Sequence, residues 1–122
     1  MAQASVQLFN LLGPLVGDRI YPQVVPEGYE DQAPYIIYQR ISAQPEITLD
    51  GFSGYEWVSM QIDIYHDNDY AAEILANQVI HKINTQIEAS IYDTRRQGQD
   101  PDTGLYFESV DYEFWQTAPI TG

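Results

Sequence analysis

The most regular pattern in the chain lies between Glu56 and His66. Val58, Met60, Ile62 and Ile64 alternate there with Trp57, Ser59, Gln61, Asp63 and Tyr65. Strict period-two alternation predicts a strand with one face on a core and the other polar and aromatic. The period then changes. From Tyr70 to Asn84, the residues Ala72, Leu75, Ala76, Val79 and Ile83 recur at three- and four-residue spacings, flanked by Ile80. That spacing predicts an amphipathic helix, with Glu73, Asn77 and Lys82 on its outer side. Asp67-Asn68-Asp69 supply N-cap candidates. Acids at the start (Asp67, Asp69, Glu73) and bases towards the end (His81, Lys82) suit the helix dipole.

Weaker patterns fill in the remainder. A first helix is expected over Val6–Leu12, with Val6, Phe9 and Leu12 on one stripe and Ser5 as its cap. Gly13-Pro14 ends it, and Leu15-Val16 adds a last turn before the stop at Gly17-Asp18. Arg19-Ile20-Tyr21-Pro22 reads as a short extended piece. Gln23 to Ala33, with Pro26, Gly28, Glu27, Glu30 and Asp31, reads as an exposed loop. Pro34 to Ile41 is rich in β-branched and aromatic residues and predicts a strand. Gln44 to Gly54, with Pro45, Asp50-Gly51 and Ser53-Gly54, is expected to be a long hairpin loop.

Two strands are expected to close the chain, Ile87 to Asp93 and Leu105 to Trp115, joined by a polar loop from Arg95 to Thr103. In the last strand Tyr106, Glu108, Val110, Tyr112 and Phe114 alternate with Leu105, Phe107, Ser109, Asp111, Glu113 and Trp115. The expected fold is therefore α+β. It is a mainly antiparallel four-stranded sheet with two helices packed on one face, in the order α-β-β-α-β-β. Residues 1–122 read as a single domain, with 117–122 a mobile tail or contact arm.

Composition narrows the function. Apolar residues make up 44% of the 122 positions, which suits one folded core. No apolar run reaches the roughly 20 residues of a membrane span, and Met1 to Ser5 has no basic n-region, so neither a span nor a secretory signal is expected. Without cysteine there is no disulfide and no thiolate metal site. Eighteen acids stand against five bases (Arg19, Arg40, Lys82, Arg95, Arg96), a net charge of -13. Such a surface repels phosphates, so specific nucleic-acid binding is not expected. The acids are scattered, as on a solvated face that keeps a protein soluble.

Catalytic constellations fail on spacing. Asp63, His66, Asp67 and Asp69 could hold a divalent cation, and with it a metal-assisted hydrolase, but they match no defined metal loop. Asp67 and Asp69 already serve the helix start. Asp93 and Asp100-Pro101-Asp102 lack the calcium-loop pattern and read as a turn. Neither Ser53 nor Ser59 sits in a nucleophile elbow, and His66 and His81 are the only histidines for a triad. No catalytic, cofactor-binding or metal residue is assigned. The better lead is aromatic. Trp57, Tyr65, Phe107 and Trp115 all face away from the expected core. Either they shield one another across strands, or they form an intersubunit surface, and both can hold for one sheet.

The run Val16-Gly17-Asp18-Arg19-Ile20-Tyr21-Pro22, followed by Pro34-Tyr35-Ile36-Ile37-Tyr38, resembles the opening of phage tail completion (tail terminator) proteins. Gln61-Ile62-Asp63-Ile64-Tyr65, Ala71-Ala72-Glu73-Ile74-Leu75-Ala76 and Asp111-Tyr112-Glu113-Phe114-Trp115 continue the resemblance in the family's order, over residues 6–116. The resemblance implies a non-enzymatic virion subunit of the tail neck, made in the host cytoplasm. It implies a homo-oligomer, usually a hexameric ring, which caps the head-proximal end of the tail tube and ends its polymerisation. Its partners would be the tail-tube protein and a head-completion protein, with DNA passing through the ring. A head–tail connector or a tail-tube subunit is the alternative of the same size and sheet chemistry. The stretch Glu27 to Asp31 and the loop from Arg95 to Asp102 depart from the family pattern.

Overall fold

The computed structural model describes residues 4–23, 33–87 and 90–117. The expected loop core at 24–32, residues 88–89 of the expected strand, and 118–122 of the expected tail lie outside the described residues. Two helices, α1 (Ala4–Leu12) and α2 (Asp69–Gln86), accompany five strands: β1 (Ile20–Pro22), β2 (Tyr35–Thr48), β3 (Gly51–His66), β4 (Ser90–Gln99) and β5 (Tyr106–Thr117). They form one mixed sheet in the order β1-β2-β3-β5-β4.

This corrects the expected four-stranded antiparallel sheet and its α-β-β-α-β-β order. The fifth strand is β1, which runs parallel to β2 and pairs Ile20 with Ile36 and Pro22 with Tyr38. Three residues are too few to show a period, and the partner lies sixteen residues along the chain, so local pattern is silent about the pairing. The Ile36 amide donates to the Arg19 carbonyl and the Gln23 amide to the Tyr38 carbonyl, which fixes the register.

Both helices cover one face of the sheet. The core joins Leu8, Leu12 and Val16 to Leu75, Ala76, Val79 and Ile83 of α2 and to Val58, Met60, Ile62, Ile64, Val110, Tyr112 and Phe114 of the sheet. The α2 stripe is the expected one. Asn68 is its N-cap, its side chain accepting from the Ala71 amide at 3.0 Å. The helix continues to Gln86, so His81 and Lys82 lie before its last turn, which carries no base, and the expected dipole match at the C-terminus does not form.

The α1 stripe is corrected. Val6 and Phe9 are 51% and 44% exposed, whereas Leu8 and Leu12 are buried. Leu8, Leu12 and Val16 follow one another at four-residue spacing and point at the sheet. The helix starts at Ala4, so Ser5 lies inside it rather than capping it. A 3-10 turn over Gly13–Val16 and a left-handed Gly17 then end the segment, as Pro14 and Gly17 predict.

Two expected loops are strands. β2 and β3 run on to a two-residue turn at Leu49-Asp50, closed by Thr48 pairing with Gly51. The Thr48 hydroxyl donates to the Gly51 carbonyl at 2.9 Å, and Gly51 takes a positive φ of 104° that a side chain would resist. Bulges between Arg40 and Ser42 and between Pro45 and Ile47 bend the hairpin. From Arg40 to Thr48 every residue is exposed, so this hairpin forms an arm beyond the packed body. Pro45 is tolerated because β2 has no further partner strand on its outer side among the described residues.

β4 likewise runs to Gln99, through the expected Arg95–Thr103 loop. It is an edge strand that buries little, so apolar alternation is not what holds it. The ladder to β5 and two arginines do so instead. The remaining turn places the Asp102 amide on Asp100 Oδ1 at 2.9 Å, which bears out the turn at Asp100-Pro101-Asp102.

Candidate functional site

The face of the sheet away from the helices has no second layer over it among the described residues. Odd-numbered positions of β3 and β5 point to it, and the register pairs Trp57 with Trp115, Gln61 with Asp111, Asp63 with Ser109, and Tyr65 with Phe107. The four aromatic candidates therefore form two separate clusters. Trp57 and Trp115 stand 5.3 Å apart between ring centroids, and Tyr65 and Phe107 stand 5.7 Å apart. All four are half-buried, since each ring covers its neighbour as cross-strand pairs do.

Each cluster gains members the sequence reading left out. Tyr55 stacks on Trp115 at 5.5 Å with its plane within 6°. Tyr35 stacks on Tyr65 at 5.0 Å, and Tyr21 reaches Tyr35 at 6.4 Å. Tyr55 shares the odd register of Trp57 but falls between the expected loop, which ends at Gly54, and the expected strand, which begins at Glu56. Gly98 pairs with Phe107, whose ring lies where a Cβ would stand, with Cζ only 2.7 Å away. A glycine is needed there for the ring to lie flat on the edge strand.

A polar strip separates the clusters. The Ser109 hydroxyl donates to Asp63 Oδ1 at 2.6 Å, and Gln61 Nε2 donates to both carboxylate oxygens of Asp63 at 3.1 Å. Arg96 donates to Asp111 at 2.9 Å and to the Ser109 hydroxyl at 3.1 Å. Burial, with Asp63 and Asp100 nearby, pushes the Tyr65 phenol above its ordinary pKa, so the ring stays neutral.

The other arginine of β4 works on the opposite face. Arg95 Nε donates to Glu108 Oε1 at 2.7 Å, and its Nη1 donates to Asn77 of α2, also at 2.7 Å. Glu108 is 2% exposed, and its Oε2 has no partner among the described residues. The pair ties the edge strand to both β5 and α2.

The acidic residues near His66 do not converge. Asp63 lies in the polar strip, while His66 Nδ1 meets Asp67 Oδ1 at 2.7 Å. Among the described residues, no group of three or more His, Asp or Glu side chains is placed to hold a metal ion. No helix among them is long and apolar enough to cross a membrane.

Charged groups of the polar strip and of β4 position strands, and the aromatic clusters lie on a sheet face that no second layer covers among the described residues. That combination defines an assembly module, a domain built to present a sheet face and an arm. The sequence matches the tail completion protein gp17 family over residues 2–117, and the chain belongs to that family. No protein of curated function matches it in sequence. The family is one of structural phage tail proteins and not a known enzyme family, so the chain is a component of the virion tail that meets other tail or head proteins.

Proposed function

We propose that this chain is a tail terminator subunit. Copies close into a ring, about six in number as cyclic symmetry allows, at the head-proximal end of the tail tube. The ring ends tube polymerisation and offers the surface for head joining through a head-completion protein. Membership of the tail completion family over nearly the whole chain carries this reading. Trp57, Tyr65, Phe107 and Trp115, with the exposed Tyr55, are the interface residues, because partly exposed aromatic clusters on an open sheet suit a subunit contact.

The charge of -13 fits a passage for DNA, since acids on a channel wall repel phosphates and let the duplex slide. A neutral or basic wall in the assembled ring overturns that point. Solution mass together with negative-stain images tests the proposal. Homogeneous closed rings are expected, and Trp115→Ala should raise the concentration needed to form them by about tenfold, a hot-spot loss of roughly 1.4 kcal/mol. Open stacks of unlimited length would make the chain a tube subunit instead, and a strict monomer, alone and with tube protein, would end the reading.

A further inference from the structure

The hairpin arm and the outer side of α2 carry complementary chemistry at opposite ends of the molecule. From Ile41 to Tyr55 the arm contains Glu46 and Asp50 and no base. Its apolar side chains Ile41, Ile47 and Leu49 stand in solvent, and Leu49, at the turn, is 107% exposed. Such exposure is unusual for three aliphatic residues on one projecting element.

The receptor is a groove between the 3-10 turn and α2. Its main part holds about 430 Å³ and is lined by Leu15, Ile74, Asn77, Gln78, His81 and Lys82. It continues through Leu15, Ile74 and Gln78 towards Pro34, Leu75 and His66. Among the described residues the lining contains no acid, although Asp67 meets His66 at its far end, and it carries both histidines and Lys82. Ile74 is 41% exposed on its floor. Lys82 makes no ion pair among the described residues.

An arm cannot fill its own groove. Pro34 and His66 mark the sheet end where β2 begins and β3 stops, and the turn at Leu49 is fifteen residues beyond Pro34 along β2. At strand rise that is about 50 Å. Knob and hole on opposite ends of one molecule make a head-to-tail contact, which closes into a ring when the rotation permits.

We propose that the hairpin turn of one copy seats in this groove of the next, with Leu49 on Ile74 and Leu15 and with Asp50 facing Lys82. The inference rests on the ring reading and deepens it by naming a contact between neighbours beside the aromatic face. It overcomes the mutual repulsion of strongly acidic copies by meeting acid with a basic apolar surface.

The absence of native cysteine allows a direct test. Full-length Leu49→Cys and Gln78→Cys chains are mixed and oxidised, beside a control pair of Leu49→Cys with Ile91→Cys on the other face. A cross-linked dimer at least several-fold above the control supports the contact, and a yield no higher than the control overturns it. Asp50→Lys should cut the yield about tenfold, and adding Lys82→Glu should restore it. An unchanged yield in Asp50→Lys overturns the charge pairing. The mass and images of the same samples separate the two readings. Rings with control-level cross-linking overturn the groove contact alone, as would occupancy of the groove by another tail protein. Cross-linking within open chains overturns the ring alone.

Discussion

Arg95→Met is expected to lower the unfolding free energy by about 3 kcal/mol, the low end for breaking a buried ion pair. The low end applies because the Arg95 side chain is 26% exposed and water can partly replace it, whereas Glu108 is 2% exposed. Without the guanidinium, neither Glu108 oxygen has a partner, since Oε2 already lacks one among the described residues. Asn77 also loses its donor, so β4 should loosen from α2. The companion Glu108→Leu in the same chain should recover most of the loss, because removing both charges leaves no carboxylate to desolvate. Denaturant midpoints for wild type, both single variants and the double variant measure this coupling. Additive effects would show that the pair is not what holds the edge strand.

Tyr112→Ala should cost about 4 kcal/mol, within the range for emptying a large aromatic site in a core. The ring is fully buried, with Phe114 at 5.5 Å and Tyr92 at 5.4 Å, and it lies under α2. Tyr112→Phe keeps that packing and removes only the hydroxyl, which donates to Asn84 Oδ1 at 2.8 Å. Its expected cost is about 1 kcal/mol, because Asn84 is exposed and can turn to water. The phenol itself reports on the same packing. Burial, with Tyr92 beside it, pushes its pKa up to about 12 from the ordinary 10.0. The folded chain thus holds this proton where the unfolded chain releases it. The associated stability is intact below pH 10 and is lost as pH rises towards 12. Ultraviolet titration should show one tyrosine ionising after the rest, and unfolding should come with it. A titration complete by pH 11 would place Tyr112 in water.

Legibility in this chain followed the length of each period. The stripe Ala72, Leu75, Ala76, Val79 and Ile83 and the alternation from Val58 to Ile64 each repeat often enough that only one element can bury them. The same parity placed Trp57, Tyr65, Phe107 and Trp115 together on the uncovered face, so half of the candidate surface was visible before the fold. In α1 the expected Leu12 is buried, but seven residues with five apolar side chains fit more than one stripe, and only the sheet beneath selects Leu8 over Val6 and Phe9.

The arm and β4 were hidden for a different reason. Gln44 to Asp50 and Arg95 to Gln99 carry turn residues and charges because they bury almost nothing, and burial is what writes a period into a strand. Their extended backbone comes from ladder hydrogen bonds to β3 and β5 and from pairs such as Arg95 with Glu108 and Arg96 with Asp111. Such partners lie many residues away, so no local window contains them.

The sequence alone therefore determined the faces of α2, β3 and β5, a net charge of -13, and a resemblance to tail completion proteins, each a local or summed property. Tertiary structure decided the fifth strand and its parallel pairing, the projection of Leu49 from the body, and the groove between Leu15 and Lys82. Those are relations between segments distant in the chain, and only the packed fold brings such segments within reach of one another.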